Sequence, residues 1–302
     1  MERTLNVLKK NKLGAFLFSN KEITIDEGIV KSLLKPRVEE GYKGDYGRVF
    51  IIAGSKGYAG AAYLTTEAAV KSGAGLVTLC TPKELQDIMS IKLTEAMTLS
   101  YEDTEKINNL IAKSNVIAIG PGMGNSRLTY NILSETILKS ECPIVIDADG
   151  LNVLQNKLEL LQCKNNKIIL TPHYGEMARL TGISIDEIKE DKVKVAKKFA
   201  KENGVILLLK GHRTIITDGE YVFLNTTGNS AMASGGMGDT LTGIIASFIA
   251  QGYEPLEATY LAAYIHGYCG DKLAEEMFCV SASHLIQELP FIMKDIISSK
   301  QS

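Results

Sequence analysis

The segment NTTGNSAMASGGMGDTLTG sets Gly235, Gly236 and Gly238 directly before Asp239 and a helix-patterned stretch. Glycine N–H groups at a helix N-terminus make an anion-binding concavity, and the helix dipole favours negative charge there. Such a hole stabilises a phosphoryl group in flight. Asp239, at its mouth, can take the proton of an attacking hydroxyl. Aspartate is also a good N-cap, so capping is the structural alternative for Asp239. Capping alone does not call for three preceding glycines.

Four other segments carry chemistry. GSKGYAGAA, with Gly54, Gly57 and Gly60, is like a phosphate loop but lacks the Gly-Lys-Ser/Thr ending of a Walker A sequence. Tight turns and close helix–strand packing explain the same glycines. GPGMG (120–124) has alternate glycines that let a ligand approach the backbone, yet no acidic residue closes a following strand as a Rossmann site requires. DADGLN places Asp147, Asp149 and Asn152 after an apolar run, a set able to order water, magnesium or substrate hydroxyls; Asp149-Gly150 also suits a turn or cap. TPHYGE brings His173 and Glu176 into one short segment after another apolar run.

The elements that must hold these residues are legible as apolar runs. VFIIAG (49–54), LVTLC (76–80), VIAIG (116–120), PIVIDAD (143–149), KIILTP (167–172) and VILLLKG (205–211) read as strands buried on both faces. Helical stretches separate them, such as Ala61 to Ser72 before Gly73, and Val193 to Asn203. That alternation predicts an α/β fold with a mostly parallel central sheet and helices on both faces. Ligands then gather at the carboxyl ends of the strands, where the polar and glycine-rich segments lie. RTIITDGEYVFLN predicts a hairpin around Asp218-Gly219. Beyond Thr240, Leu241, Ile244, Ile245, Phe248 and Ile249 follow helical spacing.

The whole chain sets bounds. Its 302 residues are 45% hydrophobic and 23% charged, with formal net charge −2. That is ordinary globular composition without the basic excess of a nucleic-acid or membrane-surface binder. No secretory leader pattern opens the chain and no apolar run would span a bilayer. The five cysteines form no CxxC pair, so reduced thiols and a cytoplasmic protein are expected. With no linker in view, residues 1–25 read as an extension and 26–302 as one domain.

GGMGDTLTG resembles the G-x-G-D anion hole of the ribokinase-like superfamily, a three-layer α/β sandwich. GDYGRVFIIAGS, GPGMG, DADGLN, TPHYGE, KGHRTII and NSAMASGGMGD occur in the order of the ADP- or ATP-dependent NAD(P)H-hydrate dehydratases, from about Lys43 to about Gly267. The resemblance implies repair of NADHX and NADPHX, the hydrated forms of the reduced nicotinamide cofactors. It implies a mechanism in which nucleotide phosphorylates the C6 hydroxyl and phosphate then leaves. It implies catalytic roles for Asp239, Gly238 and Gly236. It places the hydrate near Ala61, Gly122, Gly124, Asp149, Asn152, His173 and Asp239. It places the nucleotide near Lys210, Gly211, His212, Arg213, Thr214, Asn229 and Gly238, with the adenylate on the KGHRT segment and magnesium near Glu176. Many bacterial members carry an epimerase domain in front. Only about 45 residues precede the motif block here, so the S epimer is the expected substrate. A homo-oligomer, such as a tetramer, is expected from relatives. A thiazole or pyrimidine kinase of the same superfamily, and a nucleotide sensor without turnover, are the alternatives.

Overall fold

Strict alternation inside each apolar run sends neighbouring side chains into different cores. The run at 48–52 shows it: Ile51 packs on one face of the sheet, Phe50 and Ile52 on the other. Ile117 and Ile119 against Ala118, and Ile144 and Ile146 against Val145, repeat the pattern. The computed structural model describes residues 22–163 and 167–299. Its strands are β1 (Glu22–Thr24), β2 (Arg48–Ile52), β3 (Leu76–Thr81), β4 (Met97–Ser100) and β5 (Val116–Ile119), followed by β6 (Ile144–Ile146), β7 (Ile168–Leu170), β8 (Ile206–Leu209), β9 (Thr214–Thr217) and β10 (Val222–Asn225).

These form one ten-stranded sheet in the order β1-β10-β9-β8-β7-β6-β5-β2-β3-β4. Only β9 runs against the rest, pairing antiparallel with β8 and β10. The six strands and the hairpin expected from the sequence are all present. In the hairpin turn, Asp218 Oδ1 accepts from the N–H groups of Glu220 and Tyr221, both at 2.9 Å. Two strands are additions. β4 extends one edge of the sheet, and β1 pairs in parallel with β10 at the other, Ile23 beside Phe223. Residues 22–24, assigned above to the extension, are thus part of the sheet; residues 1–21 lie outside the described residues.

Helices cover both faces, giving three layers. One side carries α1 (Glu27–Leu33), α2 (Ala59–Lys71), α10 (Met237–Ala250), α11 (Pro255–Ala274) and α12 (Ala282–Ser298). The other carries α4 (Thr104–Lys113), α5 (Arg127–Lys139), α7 (Tyr174–Thr181) and α9 (Lys192–Asn203). Shorter α3 (Lys83–Lys92), α6 (Asp149–Asn152) and α8 (Ile185–Glu190) complete the set. Helix α10 departs from the one-sided pattern expected of it: every residue from Thr240 to Ala250 is buried. It is a core helix beyond its first turn, where Gly236, Gly238 and Asp239 are only partly buried.

Candidate active site

Chain order reverses between β2 and β5: from β2 the sheet runs outward through β3 and β4, and from β5 the other way. Such a switch point opens a crevice at the carboxyl ends of the strands. Here the two first loops meet. Gly54 N–H donates to the Pro121 carbonyl at 2.8 Å, and Ser55 Oγ to the Gly122 carbonyl at 2.7 Å. A Cβ on Gly122 would stand 2.8 Å from that of Ala61, so these two residues share one wall. Gly54 is a packing glycine, with the Ala62 methyl 2.9 Å from where its own Cβ would be. The phosphate-loop likeness of GSKGYAGAA is therefore met, at Gly54, by close helix–strand contact.

The next strand ends are equally tight. A Cβ on Gly120, where φ is +121°, would collide with the Asp147 carbonyl at 2.0 Å. Ala148 takes φ 52°, a rare conformation for a residue with a side chain. Asp149 Oδ2 accepts from Gly124 N–H at 2.8 Å and its Oδ1 from Asn152 Nδ2 at 3.2 Å, while Asn152 Oδ1 accepts from Arg179 Nε at 3.0 Å. Gly122, Gly124, Asp149 and Asn152 are thereby held as one rim.

At the centre stands an ion pair. Lys210 Nζ lies 2.8 Å from Asp147 Oδ1 and 3.8 Å from Glu176 Oε2, and Thr242 Oγ1 donates to Asp147 Oδ2 at 2.9 Å. Burial alone would push the Asp147 carboxyl up; the Lys210 ammonium and hydrogen bonds from Lys210, Thr171 and Thr242 outweigh it and hold it below its ordinary value. Burial would likewise lower Lys210, but Asp147 and Glu176 outweigh that and raise it. The lysine stays charged.

Glu176 is tied to α7. His173 N–H donates to Glu176 Oε2 at 2.8 Å, and His173 Nδ1 accepts from the N–H groups of Gly175 and Glu176 at 2.9 and 3.2 Å. This is a capping box with histidine at the cap. With Nδ1 acting as acceptor, Nε2 carries the proton of the neutral ring. Burial, reinforced by Lys210 and Arg179 and opposed by Glu176, lowers the His173 pKa.

Gly236, at φ 93°, is the N-cap of α10, and Asp239 lies in its first turn. The capping alternative for Asp239 is corrected: its side chain caps nothing. Among the described residues no hydrogen bond reaches its carboxylate; burial, followed by Asp147 and opposed by Lys210, with Asp149 and Glu176 adding, pushes its pKa up to about 6. Gly238 leaves room for the lysine, whose Nζ would be 3.2 Å from a Cβ placed there.

On the far side of Lys210 a 500 Å³ cleft is lined by Gly211, His212, Arg213, Thr214, Asn229 and Gly238. Every residue assigned to the nucleotide thus borders one cavity. Lys192 Nζ donates to the carbonyls of His212 and Arg213 at 2.7 and 2.9 Å, pinning that wall. Asn229 is internally used, accepting from Ala231 N–H at 2.8 Å and donating to Asp271 Oδ1 at 2.7 Å. Lys210, grouped above with the adenylate segment, borders the cleft while its ammonium pairs with Asp147. Thr242, Lys192 and His266 escaped the sequence reading. His266 also lines the cleft, and burial keeps it neutral, with a pKa of about 4.

A three-layer sandwich with a glycine-lined helix N-terminus at its switch-point crevice defines a nucleotide-using enzyme of ribokinase-like architecture. A ribokinase-like superfamily protein of Enterococcus faecalis superposes with TM-score 0.84 at 31% identity, covering 92% of this chain and 97% of that one. The family model described as NAD(P)H-hydrate dehydratase matches residues 49–291, and the chain belongs to that family. It is 36% identical over 276 residues to an ADP-dependent (S)-NAD(P)H-hydrate dehydratase of Lactococcus lactis, spanning 90% of this chain and 98% of the relative. It is 40% identical to a bifunctional NAD(P)H-hydrate repair enzyme of Moorella thermoacetica over 88% of this chain, but spans only 53% of that relative. An ADP/ATP-dependent NAD(P)H-hydrate dehydratase of Bacillus subtilis, co-crystallised with ATP/Mg2+, superposes with TM-score 0.82 at 31% identity, covering 91% and 98% of the two chains.

Proposed function

We propose that the protein dehydrates the S epimer of NADHX and NADPHX to NADH and NADPH at the expense of ADP or ATP. The observation that carries this is the place of Asp239: a carboxylate without a hydrogen-bond partner among the described residues, one residue beyond Gly238, between the nucleotide cleft and the rim of Gly122, Gly124 and Asp149. The nucleotide lies along Gly211 to Thr214 with its phosphates toward Gly238. The hydrated ring lies against Ala61, Gly122, Gly124 and His173.

Asp239 takes the proton of the C6 hydroxyl as that oxygen attacks the terminal phosphorus, and ADP departs from ATP or AMP from ADP. A pKa of about 6 suits a base working near neutrality. The N–H groups at the start of α10 and the Lys210 ammonium face the negative charge on the phosphoryl oxygens. Phosphate then leaves with the C6–O electron pair, and loss of a C5 proton restores the ring double bond.

Magnesium fits this site in one manner only. No group of three or more His, Cys, Asp or Glu able to hold a metal occurs among the described residues. Glu176 offers a single carboxylate, which matches an ion held chiefly by nucleotide phosphates and water. When bound there, the ion would neutralise phosphate charge.

Incubation of NADHX with ADP or ATP tests the reading through the near-ultraviolet absorbance of dihydronicotinamide. Recovery of that absorbance with release of inorganic phosphate is expected. A product that retains the phosphate would make the protein a kinase.

A further inference from the structure

Beyond the rim formed by Gly124, Asp149 and Asn152 lies a second cavity, of 390 Å³, between the start of α5 and the chain that leaves α6. Its lining includes Asn125, Ser126, Arg127, Tyr130, Asn152 and Lys157, and no carboxylate. Arg127 and Lys157 form no ion pair among the described residues. Lys157 lies over the Tyr130 ring at 3.7 Å from its centroid, which holds the ammonium at the cavity without neutralising it. Two uncompensated cations facing one polar cavity are a site for an anion.

The cavity adjoins the rim of the candidate active site. Asn152 lines it and also donates to Asp149, which in turn accepts from Gly124 N–H. A dinucleotide is far larger than its hydrated ring. With the ring at Gly122 and Gly124, one flank leads to the nucleotide cleft, which the co-substrate fills. The other flank leads past Asn152 to Arg127 and Lys157. We propose that this second cavity binds the phosphorylated adenosine half of the hydrate, with Arg127 and Lys157 on its phosphate oxygens. The site then explains how a dinucleotide is distinguished from a mononucleotide carrying the same reactive ring. This rests on the dehydratase reading above.

The test compares NADHX with the hydrate of reduced nicotinamide mononucleotide, which lacks the adenosine half, in the parent protein and in the R127Q/K157Q variant. Losing one charge-assisted contact costs about ten- to a hundredfold. The variant should therefore lose at least about tenfold in kcat/KM on NADHX while the mononucleotide hydrate is affected far less, so that the parental preference collapses. Its KM for ADP should stay at the parental value, which shows an intact fold and nucleotide cleft.

Equal loss on both hydrates, or no loss on either, would overturn the proposal. So would a rate that responds to added inorganic phosphate in the parent alone with the preference between hydrates retained, because the cavity would then hold a free anion. A parent inactive on every hydrate would overturn the dehydratase reading itself and this inference with it; an active parent whose variant keeps the preference overturns only the inference.

Discussion

Two aspartates share one lysine and are treated oppositely. Asp147, after β6, is 1% exposed, paired with Lys210 at 2.8 Å and bonded by Thr242, and its pKa is lowered. Asp239, in the first turn of α10, is partly buried yet has no such bond among the described residues, and its pKa rises to about 6. Neighbouring carboxyls driven apart in this way mark out different chemical roles. Asp147 keeps the lysine charged and in place. Asp239 is left able to receive a proton. The sharpest way to break this contrast is Asp239→Asn. Losing a general base costs about 10²–10⁴-fold in rate, and kcat on NADHX should fall by that much while ADP binding persists through the α10 N–H groups. A variant retaining more than about a tenth of parental kcat falls short of that range and would remove Asp239 from the chemistry.

Lys210→Met strikes both carboxyls at once and should separate them. Asp147 would be left buried and unpaired, a change that destabilises a fold by about 3–5 kcal/mol, read by denaturant unfolding. Asp239 would lose a cation that lowers its pKa. In the parent, kcat/KM should climb as pH rises through about 6 and level off above it, following ionisation of Asp239. In the variant that limb should move to higher pH. A limb that stays in place would mean that Asp239 does not sense the lysine.

The contrast also shows what a linear sequence conceals. The six buried strands and the hairpin were legible because unbroken apolar runs bounded by glycine and proline leave few alternatives. β1 and β4 were not: each is a short edge strand, and β1 buries only its middle residue. The glycines before Asp239 announced a glycine-flanked helix N-terminus, since backbone geometry there depends on the local chain. The Lys210–Asp147 pair spans 63 positions and the Thr242–Asp147 bond spans 95. No periodicity joins residues so far apart. Lys210 therefore read as part of the KGHRT wall, and its ion pairs with Asp147 and Glu176 were not visible. Asp239 read as a potential cap because its sequence neighbours cannot reveal that Gly236 already begins the helix.

A final prediction separates the two aspartates by stability. Asp239 has an ordinary value of 3.8 and stands at about 6 in the fold, so between those pH values the native state holds a proton that the unfolded chain has released. Stability falls with pH wherever the native state binds more protons. The Asp239 contribution to stability should thus fall as pH climbs from about 4 through 6, and that loss is complete above it. The difference between the two values corresponds to roughly 3 kcal/mol. The amide introduced by Asp239→Asn cannot ionise, so that variant should melt a few degrees above the parent at pH 7–8, with the gap closing near pH 4. Asp147 carries the opposite sign: its pKa is lowered, so its contribution is present above its unfolded value and is lost as pH falls through the folded one. Asp147→Asn should accordingly lower the melting temperature at neutral pH. Thermal unfolding of the two variants across this range checks both signs, and an Asp239→Asn protein less stable than the parent at pH 7–8 would show that the Asp239 carboxylate is held by favourable contacts and is not poised to take a proton.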